Sequence, residues 1–239
     1  MKAKRFNSAS AINIYNHCPR KYFMKYKLKL QEKKNLNLIV GDIVHKAIKA
    51  KADDPSKNLE SLFEQFWQDA KPEFENLHIP EQDMRGYYQQ YRQMVLNWEK
   101  DFNSDAKLET EVKLKSEKYQ IIGVVDEISE KDGKVRILDN KTSRWDKISK
   151  DDLVQLGIYA LLFQENFNKL PDYLGIRFLK TGKKQYIPID DKLLSKAIYE
   201  CQLMKVKNLS NYVNDYPKRF SGLCKWRNGQ CSFYEECFQ

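Results

Sequence analysis

The sequence predicts an α/β fold: a mixed central sheet flanked by helices, with an N-terminal helical region and a C-terminal cysteine tail. Two observations predict it. Apolar residues recur at helical spacing over about the first hundred residues, and the pattern then changes to short alternating or wholly apolar runs of strand length. We expect one domain over 1–239, mainly helical to about 105, a sheet core over about 106–190, and a long helix with the cysteine tail over about 191–239.

Helix signals follow one another through the N-terminal region. Ser8 or Ser10 is a candidate N-cap for a first helix, and Pro19 is typical of the first turn of the next one. We expect Gly41 to lead into a third helix that carries His45 near its start. Further helical patterns cover 59–70 and about 82–102.

Three successive strands are predicted in the segments EVKLKS, YQIIGVVDEIS and KVRILDNKT, with a tight Asp-Gly turn at 132–133 between the last two. Asp151 or Asp152 is expected to cap the helix that follows. Two more strands, YLGIRFLK and KQYIPI, are joined by a Thr-Gly pair at 181–182, and a helix from about Asp191 to Tyr216 precedes the tail. The sheet should therefore contain about five strands.

The chain carries 42 Lys and Arg against 33 Asp and Glu, a formal net charge of +9. This balance attracts polyanions and makes nucleic acid the first partner to consider, although Lys-rich helices can also serve solubility alone. No stretch is apolar for long enough to cross a bilayer, and the N-terminus lacks the apolar core of a secretion signal. We therefore expect a cytoplasmic protein with no membrane partner.

Two carboxylates end apolar strands, Asp126 in IIGVVDE and Asp139 in RILDNK. Adjacent strands place such residues side by side, where their charges are costly unless a cation neutralises them. Oxygen ligands of this kind suit Mg²⁺ or Mn²⁺. Lys141 lies two residues after Asp139 and points to the same face of the strand. A metal and a fixed ammonium together suit phosphodiester hydrolysis, whereas a lone Asp-x-Lys triplet is usually an exposed ion pair.

Further motifs surround this triplet in a fixed order. They are SASAINIYNHCPRKYF near the N-terminus, Gly-x-x-x-His at Gly41 to His45, GVVD at Gly123 to Asp126, LDNK at Leu138 to Lys141, Gln-x-x-x-Tyr at Gln155 to Tyr159, and a C-terminal cysteine cluster. In this order they resemble the RecB-type branch of the PD-(D/E)xK nucleases, which includes helicase–nuclease repair complexes, CRISPR spacer-acquisition nucleases and phage exonucleases. The resemblance spans nearly the whole chain and implies a restriction-endonuclease-like sheet.

The resemblance also implies a metal site. His45, Asp126 and Asp139 would ligate Mg²⁺ or Mn²⁺, and the backbone carbonyl of Asn140 would add a ligand. Lys141 would be the catalytic lysine. Asp139 stands where many relatives have Glu, and both residue types are used in the superfamily.

Other residues would support this site. Either Glu109 or Glu111, on the strand before GVVD, would supply a further acidic group, and the sequence does not choose between them. Gln155 and Tyr159 lie on one helix face and could reach a DNA backbone or hold the catalytic strand. Two basic residues of the CPRK segment, Arg20 and Lys21, are further candidates for DNA contact or site support.

The resemblance assigns four of the five cysteines to a structural 4Fe-4S cluster: Cys18, Cys224, Cys231 and Cys237. The spacing departs from that of relatives, because the second and third of these cysteines are separated by a longer segment. Structural Zn²⁺ and free thiols therefore remain alternatives. Cys201, within a helical pattern, is expected in the core.

The implied function is that of a metal-dependent DNA nuclease, an exonuclease or flap-type enzyme acting on DNA with single-stranded character or free ends. The processes implied are repair, recombination, phage replication or CRISPR adaptation, with helicase, recombination or integration proteins as partners. The alternative is a catalytically idle DNA-binding subunit of such a complex. The set His45, Asp126, Asp139 and Lys141 argues against an idle subunit, because such a site has no physical reason to keep costly charges together.

We predict that DNA affinity falls steeply with salt, because Lys and Arg that neutralise phosphates release counterions. The charge of +9 motivates this prediction. If three or more phosphates are neutralised, affinity for a fluorescent single-stranded oligonucleotide should fall about tenfold or more between about 50 and 200 mM salt. Anisotropy titrations that show no salt dependence would remove nucleic acid as the substrate.

Overall fold

The computed structural model describes residues 5–102, 107–143, 145–226 and 229–238. A five-stranded sheet lies at its centre, and its strands have the same order in space as in the chain. They are β1 (Lys107–Ser116), β2 (Ile121–Lys131), β3 (Lys134–Lys141), β4 (Tyr173–Phe178) and β5 (Lys183–Ile187). β3 and β4 run parallel, and the other neighbouring pairs are antiparallel. The predicted mixed sheet flanked by helices is confirmed.

Helices surround the sheet. Those before it are α1 (Ala9–His17), α2 (Pro19–Tyr22), continued by a π-helical turn (Phe23–Lys27), α3 (Leu36–Asp53), α4 (Leu59–Asp69), α5 (Lys71–Glu75) and α6 (Glu81–Glu99). Those within or after it are α7 (Lys150–Phe167), α8 (Asp191–Lys207), a 3-10 turn (Val213–Asp215) and α9 (Tyr234–Phe238), which follows a small hairpin of β6 (Lys225–Trp226) and β7 (Gly229–Gln230). None of the described helices is both long and apolar enough to cross a membrane.

Two apolar clusters hold these elements together. The first cluster packs α7, α8 and the N-terminal helices against one face of the sheet, with Ile12, Ile137 and Leu162 fully buried. The second cluster joins α3, α4 and α6, and it includes Leu179 just after β4. The helix that carries His45, α3, therefore belongs to the second cluster, and α7 belongs to the first.

Polar caps define where the helices begin. Ser8 caps α1 as predicted, because its Oγ accepts the N–H of Ala11. The predicted Asp caps of α7 are wrong. Ser149 is the N-cap, and it forms a reciprocal capping box with Asp152, whose carboxylate accepts the N–H of Ser149.

Two predicted helix boundaries are also wrong. The helix expected from Gly41 begins at Leu36, because Asn35 caps it, so His45 lies mid-helix. The helix expected to reach Tyr216 ends at Lys207. Tyr216 instead folds back, and its hydroxyl donates to the carbonyls of Lys207 and Ser210.

The alternation of side chains is broken in the middle of β2. Val125 and Ile128 both pack into the first cluster although they are three residues apart, so the strand is locally distorted between them. On β1, Glu111 has a φ of 54°, and its neighbours Thr110 and Val112 pair with Glu127 and Val125. Glu111 therefore lies opposite Asp126, and both strands are irregular at the same level. Such irregularities re-aim side chains and concentrate at functional sites.

We predict that Gly175→Ala destabilises the sheet, because a Cβ on Gly175 of β4 would lie 2.4 Å from the carbonyl oxygen of Gln185 on β5. Forcing these strands apart should lower the free energy of unfolding by about 1–3 kcal/mol. Gly86→Ala is the matched control, because no described atom beyond the neighbouring backbone of α6 lies within 4 Å of its Cβ position, and a gain of about 0.5–1 kcal/mol is expected there. Urea denaturation that shows equal effects for both variants would contradict this account.

Candidate active site

The predicted site residues come together from three elements. His45 extends from α3, Asp126 from β2, and Asp139 and Lys141 from β3. His45 Nδ1 lies 3.9 Å from Asp126 Oδ2, and Lys141 Nζ lies 2.9 Å from Asp139 Oδ2. The residues are largely buried, with Asp139 only 2% exposed. The sheet thus brings one imidazole, one ammonium and two carboxylates into one site.

Glu111 is the acidic residue that β1 contributes to this site. Its Oε1 lies 3.2 Å from His45 Nδ1, and His45, Glu111 and Asp126 offer ligand atoms that all lie within 4.8 Å of one another. Glu109 is exposed, and its recorded ion-pair partner is Lys107. The sequence left this choice open. The register of the β1–β2 hairpin could have decided between Glu109 and Glu111, because position 111 lies opposite Asp126.

A hydrogen-bond network from α7 holds the end of β3. Gln155 Nε2 donates to Asp139 Oδ1 at 2.7 Å, and Gln155 Oε1 accepts from Lys141 Nζ at 2.8 Å. The Tyr159 hydroxyl accepts from Gln155 Nε2 and donates to the carbonyl of Val124 on β2, both at 2.8 Å. The two residues, one helical turn apart, therefore tie Asp139 and Lys141 to the neighbouring strand.

Sequence reasoning missed one residue of this network. Asp152, in the first turn of α7, places Oδ1 3.4 Å from Lys141 Nζ. Its role in the capping box gives no hint of this second contact. Lys141 therefore lies among Asp139, Asp152 and Gln155, which together fix the position of its ammonium.

The pKa values show how strongly the charges interact. Burial lowers the pKa of Lys141, but the charge and hydrogen bond of Asp139 outweigh it, so the pKa is raised and the ammonium is retained at neutral pH. Burial and then the charge of Asp139 raise the pKa of Asp126 to about 7. Burial also lowers the pKa of His45, but the hydrogen bond with Glu111 and the charge of Asp126 raise it to about 9. Without a metal, the site therefore retains protons to limit its negative charge.

The donor set fits a hard divalent cation. One imidazole nitrogen and carboxylate oxygens are ligands that Mg²⁺ and Mn²⁺ accept. Asp139 Oδ2 is buried, and its contact among the described residues is the Lys141 ammonium at 2.9 Å. An oxygen with this single partner can also accept a metal, and a cation would take the place of the proton on His45.

Three other predicted residues have different surroundings. The backbone N–H of Asn140 donates to Asp126 Oδ2 at 2.8 Å, and a metal-ligating role for its carbonyl stays a prediction. Arg20 Nε donates to the carbonyl of Tyr216, and Lys21 pairs with Glu32. Arg20 and Lys21 line the cavity that contains the cysteines, so their contacts lie away from His45 and the catalytic strands.

The four predicted cluster cysteines line one cavity of about 500 Å³, in which α2 meets the C-terminal hairpin and α9. They are Cys18, Cys224, Cys231 and Cys237. Burial raises the pKa of the Cys237 thiol, the charge of Lys218 opposes this rise, and the neighbouring Cys18 and Cys231 thiols add to it. Cys201 is buried in the first apolar cluster, as expected.

The spacing of these thiols bears on which metal they fit. Around one tetrahedral zinc ion with Zn–S bonds of about 2.3 Å, the sulfurs lie roughly 3.8 Å apart. Among the described residues no three cysteine sulfurs lie within 4.8 Å of one another. A 4Fe-4S cluster takes one thiolate on each of four irons and so separates its sulfurs more widely. The described cysteines therefore do not form a preformed tetrahedral zinc site.

Comparison with known proteins agrees with this geometry. The profile of the PD-(D/E)XK nuclease superfamily matches residues 7–237. The CRISPR-associated exonuclease Cas4 of Francisella tularensis subsp. novicida is 31% identical over 125 residues, and these cover 52% of this chain and 59% of that relative's length. A crystal structure of an exonuclease candidate from Eubacterium rectale shares the fold, with a TM-score of 0.59 at 17% identity, over 92% of this chain and 86% of that chain.

These findings define a class. A mixed five-stranded sheet that brings two carboxylates and a lysine together is typical of metal-dependent nucleases. The superfamily profile matches this chain from residue 7 to residue 237. The chain belongs to the PD-(D/E)XK nuclease superfamily. The resemblance stated from the sequence motifs is confirmed.

We predict that Glu111→Gln weakens Mn²⁺ binding by about 10-fold or more, because it removes a charged oxygen that contacts His45. Glu109→Gln is the matched control, with the same substitution two residues away on an exposed position of β1, and it should leave the affinity unchanged. Isothermal titration calorimetry measures both. A larger loss in the Glu109 variant would show that the site has been assigned to the wrong carboxylate.

Proposed function

We propose that this protein is a Mg²⁺- or Mn²⁺-dependent deoxyribonuclease that acts as an exonuclease or flap-type enzyme on DNA ends. The observation that carries the proposal is the meeting of Asp126, Asp139 and Lys141 with His45 and Glu111 in one largely buried site. When bound, the metal would polarise the phosphoryl group and make water a stronger nucleophile.

The protein side chains would have separate tasks. His45, Glu111, Asp126 and Asp139 would bind the metal, with the Asn140 carbonyl as a further ligand. Lys141 would stabilise the negative charge that builds on the phosphate, because its raised pKa keeps it protonated and makes it a donor, not a base. Gln155 and Tyr159 would keep these groups in place through their hydrogen bonds, and any DNA contact they make would be secondary.

The proposed substrate is DNA with free ends or single-stranded character. The nuclease superfamily and the name of the Cas4 relative support it, as does the charge of +9. CRISPR adaptation or repair is the proposed setting, with helicase, recombination or integration proteins as partners. The second candidate, an idle DNA-binding subunit, is disfavoured because the site keeps its lysine, histidine and carboxylates in mutual contact.

We predict that Asp139→Asn and Lys141→Met each lower the rate of DNA cleavage by at least about a hundredfold while the protein stays folded, because each removes charge that the transition state requires. Asp172→Asn is a suitable control: Asp172 precedes β4, and its carboxylate accepts the N–H of Val135 near the start of β3. Mg²⁺-dependent cleavage retained by Asp139→Asn would contradict the mechanism.

The mode of cleavage needs end-labelled linear DNA and closed circles, single- and double-stranded, incubated with Mg²⁺ or Mn²⁺. The proposal expects cutting of linear substrates and survival of closed circles. Cutting of circles would replace the exonuclease assignment by an endonuclease one. An inactive wild type that binds DNA would support the idle subunit instead.

We further propose that Cys18, Cys224, Cys231 and Cys237 hold a structural 4Fe-4S cluster. The cavity joins the N-terminal and C-terminal segments of the described chain, so a cluster would link these segments and stabilise the fold. It lies apart from Asp139, which gives it no part in hydrolysis.

We predict that protein purified without oxygen is brown and contains iron, and that Cys18→Ser loses the colour and is less stable, because cluster binding is coupled to folding. Cys201→Ser is the control, since Cys201 is buried in the first apolar cluster, and it should retain the iron. Colourless wild-type protein with zinc would favour the zinc alternative, and protein with neither metal would leave free thiols.

A further inference from the structure

A buried ion pair lies behind the metal site. Glu127 of β2 and Arg177 of β4 are 4% and 3% exposed. Arg177 Nη2 donates to Glu127 Oε1 at 3.1 Å, and Nη1 donates to Oε2 at 2.5 Å. Trp98 Nε1 of α6 donates to the same Oε2 at 3.1 Å. Two charges so deep in the protein cost much desolvation, so stability alone is a weak reason to keep them.

This pair lies on the opposite face of the sheet from Asp139. Glu127 pairs with Leu138 in the β2–β3 ladder, and residues paired in this way share a face. Leu138 and Asp139 are consecutive and therefore point to opposite faces. The ion pair is thus separated from the candidate metal site by the thickness of the sheet alone.

A closed series of contacts connects the ion pair to the candidate metal site and runs from Glu127 through Arg177 and Asn140 back to Asp126. Glu127 follows Asp126 in the chain. Arg177 pairs with Asn140 in the β3–β4 ladder, and its Nη1 lies 3.4 Å from Asn140 Oδ1. The backbone N–H of Asn140 returns to Asp126 Oδ2 at 2.8 Å. A shift of either member of the ion pair would therefore move the backbone that supports Asp126.

This series of contacts lies where the backbone is irregular. The alternation of β2 breaks between Val125 and Ile128, and Glu111, opposite Asp126, has a φ of 54°. Unfavourable backbone geometry persists only where the surrounding contacts hold it in place. Arg177 and Glu127 form a charged contact on the back of this irregular segment, and Asp101 lies 3.9 Å from Arg177 Nε beside it.

We propose that Glu127 and Arg177 are positioning residues of the metal site: from the back of the sheet they fix the backbone at Asp126 and Asn140, so that the Asp126 carboxylate is held beside His45. This inference rests on the proposed metal-dependent function. It assigns to two residues outside the nuclease motifs an effect on metal affinity that acts through Asp126 and Asn140.

The test removes both charges together, because removal of one would leave the other buried and unpaired. The double variant Glu127→Leu, Arg177→Met keeps similar volumes, and such replacements are often neutral for stability. We expect it to fold, to bind Mn²⁺ about 10–100-fold more weakly by calorimetry, and to cleave DNA with a lower kcat and little change in KM for DNA. Arg177→Lys keeps the charge but not the two-donor geometry, and it should give a smaller loss of Mn²⁺ affinity.

Glu200→Gln is the matched control. Glu200 of α8 is also 4% exposed, accepts from Asn16 Nδ2 at 3.0 Å and pairs with Lys196 at 2.6 Å. This variant should lose stability but keep the Mn²⁺ affinity of the wild type, which separates positioning from general destabilisation.

Wild-type Mn²⁺ affinity in the double variant would overturn the inference. If the double variant does not fold, the same result in Arg177→Lys would overturn it. The inference would also be overturned if the double variant and Glu200→Gln lost Mn²⁺ affinity equally at matched stability. If the wild type binds no Mn²⁺ and cleaves no DNA, the proposed function itself fails, and that outcome is distinct from the others.

Discussion

Buried negative charge is the constraint on which the rest of the site depends. Three carboxylates, Glu111, Asp126 and Asp139, lie close together in a largely buried site, where water screens their charges poorly. Each negative charge therefore raises the free-energy cost of ionising the others. Lys141 offsets one charge, and the protonated imidazole of His45 offsets a second. Asp152 also lies beside Lys141, so the carboxylates outnumber the two cations. A divalent cation that displaced the proton on His45 would reduce the remaining negative charge, so the arrangement favours metal binding by its electrostatics.

The fold meets this constraint by supporting the site from two apolar clusters. The second cluster carries α3 and so determines the position of His45, while the first cluster carries α7 and its Gln155–Tyr159 network. Strands β2 and β3 present Asp126 and Asp139 at the same level. The irregular backbone at Glu111 is therefore part of the site's construction, because it turns a strand residue towards His45.

Much of this arrangement could be predicted from the sequence, because its parts carry local signals. Strand-terminal carboxylates and an Asp-x-Lys triplet indicated the metal site, and alternating runs indicated the sheet. Contacts formed only in three dimensions had no such signal. Glu111 could not be separated from Glu109 without the hairpin register, and Glu127 and Arg177 resemble ordinary surface charges until their burial is known. The cap at Ser149 was missed because the neighbouring Asp residues are equally good caps in isolation.

The central claim is that one divalent cation is held jointly by α3, β1, β2 and β3. Anomalous diffraction from crystals of the protein soaked in Mn²⁺ tests it most directly. The account predicts one strong peak within about 2–2.5 Å of ligand atoms of His45, Asp126 and Asp139. A peak elsewhere with none at these residues, in crystals whose Mn²⁺ supports DNA cleavage in solution, would contradict it.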